Sequence, residues 1–465
     1  MLEKHLKKII ALSIAVVLTV TVVAFYDFES YEPYEEWCPY SCEFLNSEFG
    51  VNQFVSILLN TKLQQHISDD IYGGTYIDED GNLVILAVDE IAVANALAAT
   101  YSDIQEQLTA IENLPIAPLR LEDDFNVEDY VACDGAPLEY MLRADVNTRT
   151  VQFSVAEIEE AKENLAPHME QLGLQGIFHD VKENQLVLEA IKSESILAEE
   201  IDVSFLVNTR ANANISEMIR IDEVEESIPH NDSNNIHLRL GARVGTMGNS
   251  MRTTMGVPVY HDGVRGWLIT GHAPESVPGT VVRTGNCGGG TLGTARIQLW
   301  EGNGSRSDVA FVGQTSHTNV AAYRRLNSGH LWTEDIIGGF AGPVPQGGLV
   351  FMNSRRMTTI PAHQRRAGMG IDYNVGRMRG EVTNTNFTMS NGLRVIRANY
   401  TRIGGASGGP ITVEGVLNNQ FRVYVVGIHQ GGWGEDESVP SYDARYICVV
   451  QIIEDLGGNV RARFR

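Results

Sequence analysis

From residue 231 to its end at residue 465 the chain contains no lysine; its basic charge there is carried by 23 arginines against 16 acidic residues. Without lysine-rich runs, and without aromatic residues interleaved among the arginines, this half lacks the footprint of a nucleic-acid binder. Residues 1–230 are the reverse, with 12 basic and 43 acidic residues. An asymmetry this large divides the chain into two functional halves. Halves of opposite charge can bind each other, although acidic residues also serve simply to keep a helical segment soluble.

Cysteine is scarce as well. The five residues Cys38, Cys42, Cys133, Cys287 and Cys448 are odd in number and too sparse for a disulfide scaffold. Cys38 and Cys42 are spaced C-x₃-C, not the C-x-x-C of a redox site, and read as a short local disulfide or two free thiols. His-Glu-x-x-His and paired C-x-x-C are both missing, so no metal centre is expected. No glycine-rich loop follows a strand and opens a helix, and Gly288-Gly289-Gly290 reads as a turn, so no cofactor is expected either. What is present is ordinary for a globular chain: 43% hydrophobic and 20% charged residues, at a length that suits two or three domains.

Lys4, Lys7 and Lys8 precede the apolar run Ile9–Tyr26. This is the pattern of an export signal, and it places the protein outside the cell or on its surface. Residues 1–26 read as a signal peptide, with Val22-Val23-Ala24 offering a cleavage point, or as an uncleaved membrane anchor, since 18 residues is at the lower limit for a span. Residues 27–47 are aromatic and acidic and read as a linker. Residues 48–226 read as an acidic α/β region. Apolar spacing predicts amphipathic helices over 51–66 and 89–112, and 72–88 reads as strand, Asp80-Gly81 turn, strand. A further helix over 155–172 and hairpin over 176–190 repeat the pattern. Residues 221–235 read as an exposed linker, with 227–235 as its core; a maturation cut is expected there, where Glu225 and Glu226 stand as candidate sites. From Leu238 the pattern is short strands with frequent glycines, which predicts an all-β domain over 236–465. Cys448–Leu456 reads as a closing helix.

The stretch Gly404-Gly405-Ala406-Ser407-Gly408-Gly409-Pro410 sets one serine among four glycines. A serine hydroxyl becomes a nucleophile only with a base beside it and N–H donors aimed at the oxyanion it creates. Glycines let the backbone adopt torsions that bring such donors together; alone, the stretch also reads as a tight turn. Upstream, His272 ends the apolar run Trp267-Leu268-Ile269-Thr270-Gly271, and Asp308 opens the run Val309-Ala310-Phe311-Val312. A lone histidine or aspartate at a strand end is often structural, and Asp262 and Asp335 are rival partners for the histidine. The chain order His, Asp, Ser is nevertheless that of one known triad type and not of others.

With these motifs residues 236–465 resemble the chymotrypsin-like serine proteases, in particular the secreted bacterial branch of streptogrisin and alpha-lytic protease type. The resemblance implies an all-β two-barrel domain of antiparallel six-stranded barrels with a C-terminal helix. It implies Ser407 as nucleophile, His272 as general base and acid, Asp308 as its orienter, and the amides of Gly405 and Ser407 as oxyanion hole. It puts Thr401 at the base of the substrate pocket, sets Gln430 on the strand that lines the substrate, and sets Gly431 and Gly432 to pair with a peptide backbone. The stretch Gly427-Ile428-His429-Gln430-Gly431-Gly432 is similar to that of glutamyl endopeptidases. This implies that His429, with Arg402, receives an acidic side chain at P1, the residue preceding the cut bond; a structural role for His429 is the alternative. The second hairpin resembles the pro-regions of the bacterial proteases, which implies a folding aid and inhibitor; an unrelated accessory or adhesion domain is the alternative. The chain departs from the family in having Ala406 where an aspartate is usual, and in having no cysteines beside His272 or Ser407. The expected function is therefore an exported serine endopeptidase made as a zymogen and acting on polypeptides. The alternatives are a catalytically silent binding module or adhesin of the same fold, and a regulatory protease anchored through residues 9–26.

Overall fold

The computed structural model describes residues 47–112, 135–191, 215–224, 229–230, 243–245, 253–254, 256–273, 276–284, 291–300, 304–314, 337–354, 377–403, 406–417, 420–433, 443–458 and 460–462. The expected signal and first linker, residues 1–46, lie outside these, as do Cys38, Cys42, Cys133 and Cys287. Among the described residues no helix is long and apolar enough to cross a membrane.

The helix Glu48–Leu63 begins at Ser47, whose side chain accepts the Gly50 amide at 3.1 Å. The sequence predicts an amphipathic helix here, but the helix is buried on nearly every side. Phe54, Ile57, Leu59 and Leu63 are fully covered, and so are the polar Gln53, Ser56 and Asn60. The polar side chains are satisfied at a distance: Leu349 N donates to Gln53 Oε1 (2.9 Å), Ser56 Oγ to Gly81 O (3.0 Å), and Asn60 Nδ2 to Pro343 O (3.0 Å). The helix packs against the helices Glu90–Glu112 and Gly135–Met141, the hairpin Tyr72–Ile77/Leu83–Ala87 and the strand Pro410–Leu417. Gly415 on that strand has to be glycine, because a Cβ would collide with the Phe54 ring.

The internal repeat is longer than the sequence suggests. Each antiparallel hairpin gains a third strand parallel to its second: Val146–Thr150 beside Leu83–Ala87, and Ile219–Val224 beside Gln185–Ile191. Residues 221–224, expected in an exposed linker, thus belong to a sheet. Their alternation, with Ile219 and Ile221 packed on the core beneath, is hidden in the sequence by the charges between them. The helix Val155–Leu165 opens with a capping box between Ser154 and Glu157. It passes into a single 3₁₀ turn at Ala166–His168, where Pro167 has no amide to continue the ladder, so it ends short of the expected residue 172.

The basic half forms two sheets. One follows the strand order Val460–Ala462, Pro258–His261, Val264–Ile269, Val309–Gln314, Thr291–Leu299, Val281–Thr284, Arg243–Gly245, Thr253–Thr254. In its centre alternate residues face opposite cores. Trp267, Ile269, Ala310 and Val312 join Val282, Leu292 and Ala295 on one face; Leu268, Val309 and Phe311 join Ile428, Ile447 and Ile452 on the other. The second sheet runs Leu349–Asn353, Pro410–Leu417, Gln420–Trp433, Ala444–Cys448, Arg394–Ala398, Arg377–Met389 and continues into Leu174–Asp180, Gln185–Ile191 and Ile219–Val224. Its first six strands form a closed antiparallel circuit, because Leu349–Asn353 also pairs with Arg377–Met389. The described pairings of the other sheet form an open path. The helix Val449–Leu456 falls where the sequence places it, ends at Gly457, and the chain returns as Val460–Ala462 beside Pro258–His261.

The acidic and basic halves are not separate bodies: residues 44–465 form one compact unit. The long strand Arg377–Met389 loses Leu349–Asn353 as neighbour after Glu381, and Leu174–Asp180 takes the vacated edge. Phe178 stacks on Phe387 at 5.8 Å between centroids, and Phe178 and Val187 join the core between the two sheets. Charge pairs follow the asymmetry of the sequence, with Arg397 Nη1 at 2.6 Å from Glu189 Oε1 and Arg394 Nη2 at 3.3 Å from Glu163 Oε1. Lys162, fully buried, donates to the carbonyl of Asn386, a residue with φ of 56° at an irregularity in the long strand.

Candidate active site

The strand Val264–Ile269 delivers Thr270, Gly271 and His272 to one end of the first sheet, and its neighbour Val309–Gln314 begins just after Asp308. The Asp308 carboxylate is 1% exposed and receives four donors. Oδ1 accepts His272 N (2.7 Å) and Thr270 Oγ1 (3.3 Å); Oδ2 accepts His272 Nδ1 (2.5 Å) and Gln430 Nε2 (2.9 Å). Burial alone would raise the Asp308 carboxyl, but the neighbouring His272 and the hydrogen bonds from His272 and Gln430 outweigh it and hold the group below the usual carboxylate range. Gly271 is required here: a Cβ would stand 2.8 Å from Val309 N and 2.9 Å from Asp308 Oδ1. Gln298 Nε2 donates to Gly271 O at 2.7 Å and fixes the same turn.

Ser407 is fully buried, and its Oγ donates to Gln430 O at 2.9 Å. Its loop is pinned by backbone bonds: Thr254 N to Ser407 O (2.7 Å), Gly408 N to His429 O (2.7 Å), His429 N to Gly409 O (2.8 Å), Ala406 N to Ile403 O (3.2 Å) and Gly409 N to Ala406 O (3.0 Å). Gly408 has φ of 90°, a torsion that favours glycine. Ala406 sits fully covered in the same apolar cluster as Tyr400 and Ile403, where an aspartate would be a charge without solvent. The loop is thus held without an acidic side chain at that position.

Gln430 joins the two parts. The sequence assigns it to substrate; its side chain turns instead to Asp308, while its carbonyl lies beside Ser407. Behind it, the buried Arg445 donates through Nε to Gln430 Oε1. His272, Asp308, Gln430 and Ser407 therefore form one hydrogen-bonded set. Of the rival aspartates, Asp262 lies at an exposed hairpin turn against His261. Asp335 lies outside the described residues, as do Gly404 and Gly405.

His429 and Thr401 are both buried. Tyr400 Oη lies 2.9 Å from His429 Nδ1, with the rings edge to face. Burial foremost, and then the positive charges of Arg402 and Arg445, push the His429 imidazole down to about 3, so it is neutral at ordinary pH. Gly432 leaves the space through which the Arg402 side chain passes. Sequence reasoning did not find Tyr400 or Arg445 as parts of this site, because the fold brings them in from elsewhere in the chain: Arg445 is paired opposite Gly431, and Tyr400 lies just past the strand Arg394–Ala398; Thr270 was in view as the neighbour of His272. The buried Cys448 is a free thiol pushed up to about 11 by burial, and it takes no part in the site. Among the described residues no group of His, Cys, Asp and Glu could hold a metal ion.

No protein-family model matches the chain, and no curated protein matches it. Solved structures similar to it are serine proteases. One is described as a glutamic acid specific serine protease that utilises a novel histidine triad in substrate binding; the match has 18% identity and a TM-score of 0.34 and covers 48% of this chain and 98% of that one. Another is Thermobifida fusca Protease A, with 17% identity, a TM-score of 0.31, and coverage of 48% and 97%. A third is the alpha-lytic protease homologue N4, with 16% identity, a TM-score of 0.30, and coverage of 48% and 98%.

Proposed function

We propose that the protein is an exported serine endopeptidase of the chymotrypsin-like two-barrel type, made as a zymogen whose acidic half helps the basic half to fold and blocks it. The observation that carries this reading is the set His272–Asp308–Gln430–Ser407, in which one buried carboxylate fixes the histidine while Gln430 ties that carboxylate to the serine. Asp308 holds the Nδ1 proton of His272, which directs Nε2 to take the Ser407 proton as Oγ attacks a peptide carbonyl. His272 then returns the proton to the leaving amine, and water hydrolyses the acyl-enzyme. The amides of Ser407 and Gly405 are assigned to the oxyanion. A silent binding module has no use for an imidazole oriented so closely. The edge taken up by Leu174–Asp180 and the cores shared between the halves support the chaperone role.

The substrate preference we assign is Glu or Asp at P1. The assignment places the buried Thr401 and His429 at the side chain of P1; the buried guanidiniums of Arg402 and Arg445 would bias that place towards an anion, and a bound carboxylate would raise the His429 imidazole and recruit it as a donor. Hydrolysis of matched peptides differing only at P1, by the processed protein and by its Ser407→Ala variant, tests both points. Cleavage should favour Glu or Asp at least tenfold over Phe and Arg and vanish in the variant; equal cleavage by the variant would sink the mechanism, and a preference for Phe or Leu would sink the pocket assignment.

A further inference from the structure

Gln430 sits at an irregularity in its strand. Where Gln420–Trp433 pairs with Ala444–Cys448, His429 is opposite Tyr446 and Gly431 is opposite Arg445, so Gln430 has no residue across from it. An extra residue of this kind re-aims a side chain. The Gln430 amide turns to Asp308, with Nε2 at 2.9 Å from Oδ2, and its Oε1 accepts from Arg445 Nε. Both side chains are buried. The Gln430 carbonyl meanwhile accepts Ser407 Oγ at 2.9 Å. One residue thus touches the nucleophile with its backbone and the carboxylate with its side chain, and Arg445 holds that residue.

A guanidinium has only donors to offer. It can meet Gln430 only at Oε1, which leaves Nε2 for Asp308. The reversed amide would set donor against donor at one end and acceptor against carboxylate at the other. Arg445 and Asp308 therefore fix the facing of the amide together. The charge of Arg445 also polarises the amide and strengthens the donation from Nε2. That donation falls on Oδ2, the oxygen that also takes His272 Nδ1 at 2.5 Å. We propose that Arg445 is a positioning residue of the site: through Gln430 it fixes the Asp308 carboxylate, and with it His272 as the base. The proposal rests on the protease reading above. It differs from the assignment of Arg445 to the P1 side chain, in which the guanidinium acts on the substrate.

The effect on His272 has a definite sign. The charged and titratable groups about Gln430 are Asp308 and His272, which its amide serves, and Arg445, Arg402 and the neighbouring His429, with Tyr400 bonded to His429 and Tyr446 opposite it. Without the guanidinium, Nε2 donates more weakly and Oδ2 keeps more of its charge. A cation that opposes the imidazolium is also gone. Both changes favour the protonated form of His272. In that form it cannot accept the Ser407 proton, so activity would fail at a higher pH than in the wild type.

The test uses the chain cut in the linker after residue 226, with both parts kept together. Hydrolysis of matched Glu and Phe peptides gives kcat and KM across pH, fluorophosphonate labelling reports Ser407, and urea unfolding reports the fold. Arg445→Met should lower kcat about tenfold for both peptides with KM unchanged, and should raise the midpoint of the acid limb of kcat/KM by about half a pH unit. Arg445→Gln, which keeps a donor without the charge, should lose less of kcat and show the same rise. Arg445→Lys, a cationic donor, should recover both. On a Gln430→Leu background, Arg445→Met should cost no more than about twofold further, as two residues acting through one contact require. A loss confined to KM for the Glu peptide would overturn the proposal in favour of a substrate contact. Full additivity with Gln430→Leu, or an acid limb that no folded variant moves, would also overturn it, and in each case the activity of the wild type leaves the protease reading standing. A folded wild type that neither hydrolyses peptide nor takes the label overturns both.

Discussion

Asp308→Asn separates the orientation of His272 from the rest of the site. The carboxylate takes two donors on each oxygen: His272 N and Thr270 Oγ1 on Oδ1, His272 Nδ1 and Gln430 Nε2 on Oδ2. An amide keeps the shape but turns one acceptor into a donor. If the new NH₂ faces the backbone side, it opposes the His272 amide, which cannot move. It should therefore face Nδ1, and the imidazole must then carry its proton on Nε2, where it cannot accept one from Ser407. The expected loss in kcat/KM is about 10⁴-fold, or about 5 kcal/mol of transition-state stabilisation at ~1.4 kcal/mol per tenfold. The Gln430 amide also loses its acceptor, which should cost about 1–3 kcal/mol of stability for a buried donor left unmet. Peptide hydrolysis and urea unfolding on the same preparation check the two parts. A variant that folds and retains more than a tenth of wild-type activity would refute the assignment of Asp308. Loss of activity only through loss of the folded state would refute the tautomer argument.

Two further outcomes follow from packing and charge. Phe54→Ala removes a fully buried ring that fills the space over Gly415 on the other half of the chain; it should lower stability by about 3–5 kcal/mol, with the signals of both halves shifting together in urea. Acid should weaken the fold. Burial holds His179 at about 3, and burial with Arg402 and Arg445 holds His429 at about 3, against about 6.5 when unfolded. Between those values the unfolded chain binds more protons, so this contribution is fully present above pH ~6.5 and is lost as pH falls towards 3, by up to ~1.4 kcal/mol per unit for each histidine. Urea midpoints at pH 7.5, 6 and 5 should fall in that order, and His179→Gln should flatten the trend.

The hairpins of the acidic half were legible because their turns carry the residues that left-handed torsions demand, Gly81 at φ of 86° and Asn184 at φ of 54°. The site motifs were legible because serine chemistry needs glycines and a base in a fixed order. The union of the two halves was not. Gln53, Ser56 and Asn60 give the first helix an apparently wet face, and only the fold shows that this face is buried, with Gln53 and Asn60 bonded to backbone almost 300 residues away. The third strand of each repeat was masked for a related reason: charged side chains fill the outward positions of Ile219–Val224. At the site, Arg445 and Tyr400 carry no local signature, since Arg445 reaches its partner through strand pairing and Tyr400 lies just past the end of the strand Arg394–Ala398. In the sequence Ala406 stands out only as a departure from the usual aspartate; in the structure the alanine completes an apolar cluster.

The central claim is that Ser407 is a competent nucleophile restrained by the acidic half. Fluorophosphonate labelling followed by peptide mapping tests it most directly, on the intact chain and on the chain cut in the linker after residue 226. The account predicts label on Ser407, and on the cut form only. Absence of label from both forms, with each shown to be folded, would contradict it.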